Sequence, residues 1–275
     1  MKWAEIDLER GIQMEQVTKN IFVETKKRGC NPGFVTTSEG IVMIDAPVEP
    51  AFGLEWKEEI GKRGKVRFLI NTEHHMDHWV CNSLFEVETI SHEATRKTMA
   101  GMDLDFIRNR MKILYVDPLD IPEGYTLKLP NLTYTERMTL YVGHHTFHLM
   151  HTPGHTGGQT AVYIPEEKVV FTGDNVVGQT RTAYHDALPE KWIDSLKIVE
   201  KLDAGIIVPG HGKLLDKAYL KTQADIIQKM SEAEKRAKAE GRTLDDAAKE
   251  KIDPFFKIRD TGIKSSVTLT STPVG

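Results

Sequence analysis

The sequence predicts an α/β protein in which two β-sheets pack face to face, with helices on their outer surfaces. Runs of β-branched and aromatic residues are followed by helical patterns, and this succession occurs twice along the chain. No low-complexity linker separates the two halves, so residues 1–275 are predicted to form a single domain. Hydrophobic residues make up 40% of the chain and charged residues 28%, which is typical of a globular protein with a sizeable core.

In the first half, β-branched and aromatic runs predict strands over residues 17–25, 34–37, 41–45 and 66–71. A helix is predicted over 50–62, because its apolar residues recur at helical spacing. The methionine-rich stretch 91–114 is also helical in pattern. We interpret residues 92–122 as a helical insertion that forms a lid over a cleft; ordinary core packing explains its methionines nearly as well.

In the second half, the same criteria predict strands over residues 138–142, 147–151, 159–164, 168–172 and 206–208. Helices are predicted over 190–201 and 214–239, each with an apolar face. Residues 263–275 are rich in serine and threonine and have no clear pattern. They are interpreted either as a flexible end or as an arm used in a homodimer.

Charge and hydropathy limit the partners and the location. The net charge is −4, with 36 basic and 40 acidic residues interspersed and no basic stripe, so we expect no nucleic-acid partner. No run reaches the roughly 18 apolar residues of a membrane span, and the first residues lack the apolar core of a signal peptide. We therefore expect no membrane association and a cytoplasmic location, with Cys30 and Cys81 as free thiols.

Polar residues with metal-binding side chains follow several predicted strands. The segment 72–78, Thr-Glu-His-His-Met-Asp-His, follows the strand 66–71 and places its donors within one loop. His155 and His211 each occupy a Pro-Gly-His turn after an apolar strand, and Asp174 follows Thr172-Gly173 at another strand end. Imidazole and carboxylate together suit zinc, iron or manganese. A polar surface turn, or for Asp174 a helix cap, is the alternative for each motif alone.

In this order the motifs resemble the metallo-β-lactamase superfamily, whose pattern is His-x-His-x-Asp-His, a Pro-Gly-His turn, a Gly-Asp and a final Gly-His. The resemblance extends from about residue 17 to about residue 213. It implies a four-layer αββα sandwich of two mixed sheets, with two divalent metal ions in a cleft at its edge. It places His75 and His155 at the first metal, and Asp77, His78 and His211 at the second. The resemblance also implies that Asp174 bridges the two ions.

Two positions depart from the family patterns. Class B1 lactamases carry a cysteine where Asp174 stands, so the chain is more similar to the glyoxalase II-like and lactonase-like hydrolases. The first histidine of the pattern is Glu73 in this chain. Two divalent ions carry four positive charges, of which Asp77, Asp174 and Glu73 would neutralise three. The family implies zinc, but a third carboxylate favours manganese or iron. Alternatively, Glu73 only hydrogen-bonds a metal-bound water molecule.

These observations predict a metal-dependent hydrolase in which a metal-bound hydroxide, oriented by Asp77, attacks an ester, lactone, thioester or amide carbonyl of a small molecule. No Gly-x-Ser-x-Gly motif is present, which is consistent with water as the nucleophile. The alternative is a di-iron or mono-iron redox enzyme for dioxygen, nitric oxide or persulfide chemistry. A third hypothesis is a degenerate family member that only binds a partner.

Further residues are assigned supporting roles. Asp45, at the end of a predicted strand, is predicted to orient a ligating imidazole, or else is a plain turn carboxylate. Arg181, Tyr184 and His185 lie in the loop after Asp174, and by analogy with the fold they are interpreted as substrate contacts or as solvated loop residues. His74 is predicted to point away from the metals.

Overall fold

Two β-sheets stack face to face in the computed structural model, which describes residues 12, 14–117, 119–258 and 263–264. The first sheet has seven strands in sequence order: β1 (Glu15–Gln16), β2 (Ile21–Val23), β3 (Gly33–Thr37), β4 (Gly40–Ile44), β5 (Val66–Ile70), β6 (Glu88–His92) and β7 (Leu132–Tyr134). Neighbours from β1 to β4 are antiparallel, and neighbours from β4 to β7 are parallel.

The second sheet has the strand order β13-β11-β10-β9-β8. Its strands are β8 (Arg137–Val142), β9 (His145–His151), β10 (Thr160–Ile164), β11 (Val169–Phe171) and β13 (Ile206–Val208). β8 to β11 are antiparallel neighbours, whereas β11 and β13 are parallel. A short parallel pair, β12 (Val177–Gly178) and β14 (His211–Gly212), lies apart from both sheets.

Six α-helices accompany the sheets in the described part of the chain. They are α1 (Pro50–Gly61), α2 (Glu93–Ala100), α3 (Leu104–Leu114), α4 (Pro189–Glu200), α5 (Tyr219–Ala239) and α6 (Asp246–Ile252). None of the described helices combines the length and apolar composition needed to span a lipid bilayer.

Three apolar layers hold the elements together. Ile44 and Ile70 of the first sheet pack between the sheets with Phe147 and Val162 of the second. On the outer side of the first sheet, residues of α1 and α3 form a second layer. Residues of α4 and α5 form a third layer against the second sheet. The order helix, sheet, sheet, helix confirms the predicted αββα sandwich, since each sheet must bury both of its faces.

The carboxyl ends of five strands meet at one edge of the sandwich. β4 and β5 run parallel in the first sheet, as do β11 and β13 in the second. β9 has the same direction as β11, because each is antiparallel to β10 between them. Segments that follow these strands therefore leave the sheets at the same edge, which brings distant parts of the sequence together.

The predicted helix over 91–114 is two helices. Ser91 and His92 belong to β6, and α3 starts after Asp103, whose Oδ1 atom accepts a hydrogen bond from the Phe106 N–H at 2.7 Å. This aspartate cap stabilises a new helix start. The predicted helix over 214–239 begins only at Tyr219, because the backbone of Leu215 bonds to that of Ile207.

The predicted tail falls largely outside the described residues. Of 263–275, only Ile263 and Lys264 are described, and Ile263 pairs with Tyr115 next to α3.

Candidate metal centre

Donor atoms from separate parts of the chain converge at the sheet edge. One group consists of Glu73, His75 and His155, and a second consists of Asp77, His78 and His211; in each, the donor atoms lie within 4.8 Å of one another. Both groups draw on the loop after β5 and on a histidine from the second half of the chain. The structure thus brings together all seven residues that the sequence motifs selected.

The first group is built around the carboxylate of Glu73, which is fully buried. Its Oε2 atom lies 2.6 Å from His75 Nδ1, and its Oε1 atom lies 3.7 Å from His155 Nε2. The two imidazoles also face each other, with 3.0 Å between His155 Nε2 and His75 Nδ1. Glu73 therefore occupies the position of a donor to this group and is not turned away from it.

The second group lies beside a short 3₁₀ helix, Met76–His78. Asp77 Oδ2 is 3.2 Å from His211 Nε2, and His78 is fully buried with its Nε2 atom directed inward. His211 enters from β14, whose pairing with β12 sets its position.

Asp174 lies between the two groups. Its Oδ2 atom is 3.5 Å from His155 Nε2 and 3.2 Å from His211 Nε2, and its Oδ1 atom is 3.3 Å from His78 Nε2. One carboxylate is thus within reach of histidines from both groups, which is the arrangement required of a shared ligand.

Each of three histidines forms a hydrogen bond to an oxygen atom through the ring nitrogen that faces away from the donor cluster. His78 Nδ1 donates to Asp45 Oδ2 at 2.9 Å, and His155 Nδ1 donates to the carbonyl oxygen of Ala183 at 3.0 Å. His75 uses the opposite nitrogen, with Nε2 3.0 Å from Asp186 Oδ2. In a neutral imidazole such a bond fixes the tautomer and leaves the inward nitrogen as the donor to a cation, which takes the place of the second proton.

The charges of the site stabilise one another. Burial alone would raise the pKa of Glu73, but the positive potential of the facing histidines, chiefly His75 and His155, lowers it to about 2. Burial would lower the pKa of His75, yet the carboxylates of Glu73 and Asp186 raise it to about 10. The pKa of Asp174 is also held well below its usual value, because His211 and His78 outweigh its burial. The carboxylates are therefore ionised at neutral pH.

The donor set fits divalent cations. Both carboxylate oxygens of Glu73, Oδ1 of Asp174 and Nε2 of His78 are buried, and within the described residues they have no well-aligned hydrogen-bond partner. Buried polar atoms without partners are costly, so a cluster of them that converges on one point fits a bound cation. Imidazole and carboxylate donors in this ratio suit zinc, manganese or iron.

Close backbone packing positions Asp174. A Cβ atom on Gly210 would lie within 1.8 Å of Asp174 Oδ1 and 2.7 Å of the Gly173 carbonyl carbon. Gly173 has a φ of +49°, in the left-handed region that glycine adopts without steric cost. Only glycine fits where the loops after β11 and β13 cross.

A cavity of about 120 Å³ opens onto the donors and is lined by two of the predicted substrate contacts, Arg181 and His185. The structure places Tyr184, the third predicted contact, elsewhere. Its ring packs 5.8 Å from the ring of Trp192 in the apolar layer under α4, and it does not line this cavity. Burial of the aromatic ring outweighs exposure at the cleft.

Sequence reasoning missed two residues of the site. Asp186 contacts His75, and Arg110 of α3 lines the cavity. His74 contacts the same carboxylate from behind His75: its Nε2 atom is 3.5 Å from Asp186 Oδ2, and its ring lies 4.7 Å from that of His75. No local motif marks Asp186 or Arg110. The only available signal was the position of Asp186 in the loop after Asp174.

Comparison with known proteins places this geometry in a family. The family model described as metallo-beta-lactamase superfamily matches residues 25–211. The chain belongs to the metallo-β-lactamase superfamily. Solved structures agree with this fold: the metallo-beta-lactamase from Pontibacter korlensis superimposes with a TM-score of 0.63 at 18% identity, covering 78% of this chain and 98% of that one. The DIM-1 metallo-beta-lactamase gives 0.61 at 20% identity, with 80% and 99% covered.

Three curated relatives illustrate the range of the similarity. A hydroxyacylglutathione hydrolase from Brucella anthropi is 25% identical over 84% of this chain and 81% of its own length. An atrochrysone carboxyl ACP thioesterase from Aspergillus fumigatus is 24% identical over 78% of this chain but only 51% of its own. A beta-lactamase-like protein 2 homolog from Caenorhabditis elegans is 34% identical over 31% of this chain and 28% of its length. The chain thus spans about a quarter to a half of the last two relatives.

Proposed function

We propose that this chain is a metal-dependent hydrolase that cleaves an ester, lactone or thioester bond of a small molecule. The observation that carries the proposal is the convergence of buried carboxylate and imidazole atoms from both halves of the chain on two adjoining groups. We assign Glu73, His75 and His155 to one cation, and Asp77, His78 and His211 to another, with Asp174 shared between them. When bound, such cations supply Lewis acidity, which activates water at neutral pH and polarises a carbonyl.

The side chains around the cations have distinct roles in this proposal. Asp77 lines the cavity, and its carboxylate can orient an attacking water molecule and accept a proton from it. Asp45 and Asp186 hold His78 and His75 in the orientation described above. Apolar side chains on the cavity walls lower the local polarity, which strengthens the charge interactions inside it.

The cysteines support water as the nucleophile. Cys30 and Cys81 are both free and buried, and burial raises the pKa of each thiol well above its usual value. A protonated, buried thiol is a poor nucleophile. Two of the relatives are named a thioesterase and a hydroxyacylglutathione hydrolase, and both names describe the hydrolysis of acyl compounds. The similarity supports, for this chain, a reaction of the same class.

The test is a panel of carboxylic esters, lactones and thioesters, assayed with protein loaded separately with Zn²⁺, Mn²⁺ or Fe²⁺. Asp77→Asn should lower kcat by about a hundredfold or more, on the scale of a lost general base or nucleophile-orienting group. Asp194→Asn is the matched control, since this carboxylate is exposed on α4 and pairs with Lys197. Full activity of Asp77→Asn, or consumption of dioxygen by the iron form without hydrolysis, would contradict the proposal.

A further inference from the structure

One face of α3 forms a wall of the cavity beside the metal centre. Phe106, Arg110 and Leu114 are spaced by four residues and all line the cavity, so they form a stripe along the helix. Ile107 and Met111, on the adjacent face of the helix, are buried in the apolar layer on the first sheet, against which Phe106 and Leu114 also pack. The stripe places the positively charged guanidinium of Arg110 between two apolar side chains, in the same cavity as the donor cluster.

The rest of the lining is largely apolar. Met102, Tyr115, Val177 and Ile263 add hydrocarbon or aromatic surface around the same space. The volume of about 120 Å³ is slightly smaller than a cavity that holds benzene, which is on the order of 150 Å³. A hydrocarbon group of about five or six carbon atoms fits such a space.

The charge of the cavity favours an anion. Asp186 and Asp77 are the carboxylates with the strongest electrostatic attraction to Arg110. Asp77 also contacts His211, and Asp186 also contacts His75. Two divalent cations would carry four positive charges, against five negative charges on Glu73, Asp77, Asp174, Asp45 and Asp186. Arg110 and Arg181 in the cavity walls add two positive charges, which leaves one positive charge in excess. A substrate with a negative group compensates this excess, and the interaction is strong in a water-poor cavity.

We propose that the substrate is a small acyl compound whose acyl chain has about five carbons and ends in a carboxylate. This inference rests on the proposed hydrolase function. Phe106 and Leu114 contact the hydrocarbon, and Arg110 binds the carboxylate between them. A guanidinium binds a carboxylate through two parallel hydrogen bonds, so Arg110 selects this group by shape as well as by charge.

The test compares two esters that share a five-carbon acyl chain: mono-4-nitrophenyl glutarate, which ends in a carboxylate, and 4-nitrophenyl pentanoate, which ends in a methyl group. The metal-loaded protein should hydrolyse the glutarate ester with a kcat/KM at least tenfold higher. In Arg110→Met this ratio should fall by tenfold or more, and Arg110→Lys should retain part of it. Because both esters are measured on one preparation, losses of folded protein or of metal cancel in the ratio.

Arg108→Met is the matched control. Arg108 lies on the same helix, outside the cavity lining, and its guanidinium is 3.5 Å from Asp105. This variant removes the same charge and should leave the ratio within about twofold of wild type. An equal fall in Arg108→Met and Arg110→Met, or a wild-type preference for pentanoate, would overturn the assignment of Arg110.

A binding measurement separates this proposal from the proposed hydrolysis. Glutarate and pentanoate are titrated into the metal-loaded protein by calorimetry, which requires no turnover. Tighter binding of glutarate that depends on Arg110 supports anion recognition, even if neither ester is cleaved. Hydrolysis of both esters with no preference, and equal binding of both acids, leaves the hydrolase function intact and overturns anion recognition.

Discussion

His78 Nδ1 lies 2.9 Å from Asp45 Oδ2, and the backbone of Asp45 has a φ of +58°. A non-glycine residue in this region costs on the order of 1 kcal/mol or more, although aspartate tolerates it better than most. The same carboxylate also accepts hydrogen bonds from the Thr72 N–H and hydroxyl groups, each at 2.7 Å. The strained turn is therefore held by three bonds, one of which orients a proposed metal ligand.

Asp45→Asn should weaken metal binding by about ten- to a hundredfold, the usual effect of removing an oxygen that orients a ligating histidine. The amide keeps the size of the side chain but turns a donor toward the Thr72 hydroxyl or His78. Competition with a chelator of known affinity measures the change. Asp216→Asn, in a surface turn, serves as control, and equal affinities of all three proteins would contradict the role of Asp45.

Glu73→His should raise the affinity for zinc relative to manganese by at least tenfold. Imidazole is the preferred donor for zinc and carboxylate for manganese, and the buried Glu73 side chain faces His75 and His155 directly. Parallel titrations with both metals measure the ratio, and Glu73→Gln separates loss of charge from gain of imidazole. An unchanged ratio in Glu73→His, or full occupancy and activity of wild type with zinc alone, would exclude a selective role of Glu73.

Gly210→Ala should destabilise the protein by about 1–3 kcal/mol, the usual cost of overpacking, and should weaken metal binding. The added methyl group would collide with Asp174 Oδ1 and with the backbone of Gly173. Urea unfolding measures the free energy of unfolding. Gly205→Ala is the matched control, because its Cβ would meet no atom within 4 Å, and its stability should stay within about 0.5 kcal/mol of wild type.

Acidification should destabilise the start of α2 through His92. Its Nδ1 atom accepts the Ala94 N–H at 3.1 Å, so the cap requires a neutral ring. Burial, followed by the nearby His151 ring, lowers the pKa of His92 below its usual value. An unfolded histidine has a pKa of about 6.5, so this contribution to stability is complete above that pH and is lost as the pH falls below it.

Asparagine caps helices without titrating, so His92→Asn should remove this part of the pH dependence. Urea unfolding at pH 7.5 and pH 5.5 should show a larger loss of stability in wild type than in His92→Asn. Effects of the other histidines cancel in that difference. Equal losses in the two proteins would show that protonation of His92 is not coupled to folding.

Much of the site could be predicted because metal donors follow strands. Asp77, Asp174 and His211 stand after apolar runs, and parallel strand ends meet at one edge, so their convergence follows from the order of elements. The four layers were predictable for the same reason. Short strands such as β7, with only three residues, carry too little pattern to be recognised.

Contacts that depend on tertiary packing could not be predicted. Asp186 meets His75 across 111 positions of sequence. Arg110 lines the cavity because the packing of Ile107 and Met111 against the first sheet sets the rotation of α3. Tyr184 was expected at the cleft, but its ring turns into the layer around Trp192. Local sequence does not determine which face of a loop or helix meets the site.

Metal content per chain tests the account most directly. Protein stripped of metal and then dialysed against Mn²⁺ or Zn²⁺ should bind about two ions per chain by elemental analysis, as expected of a two-metal site. His211→Ala should bind about one, and the control His144→Ala, at an exposed position, about two. A wild-type protein that binds no metal, or stoichiometries that do not change in His211→Ala, would contradict the proposed metal centre.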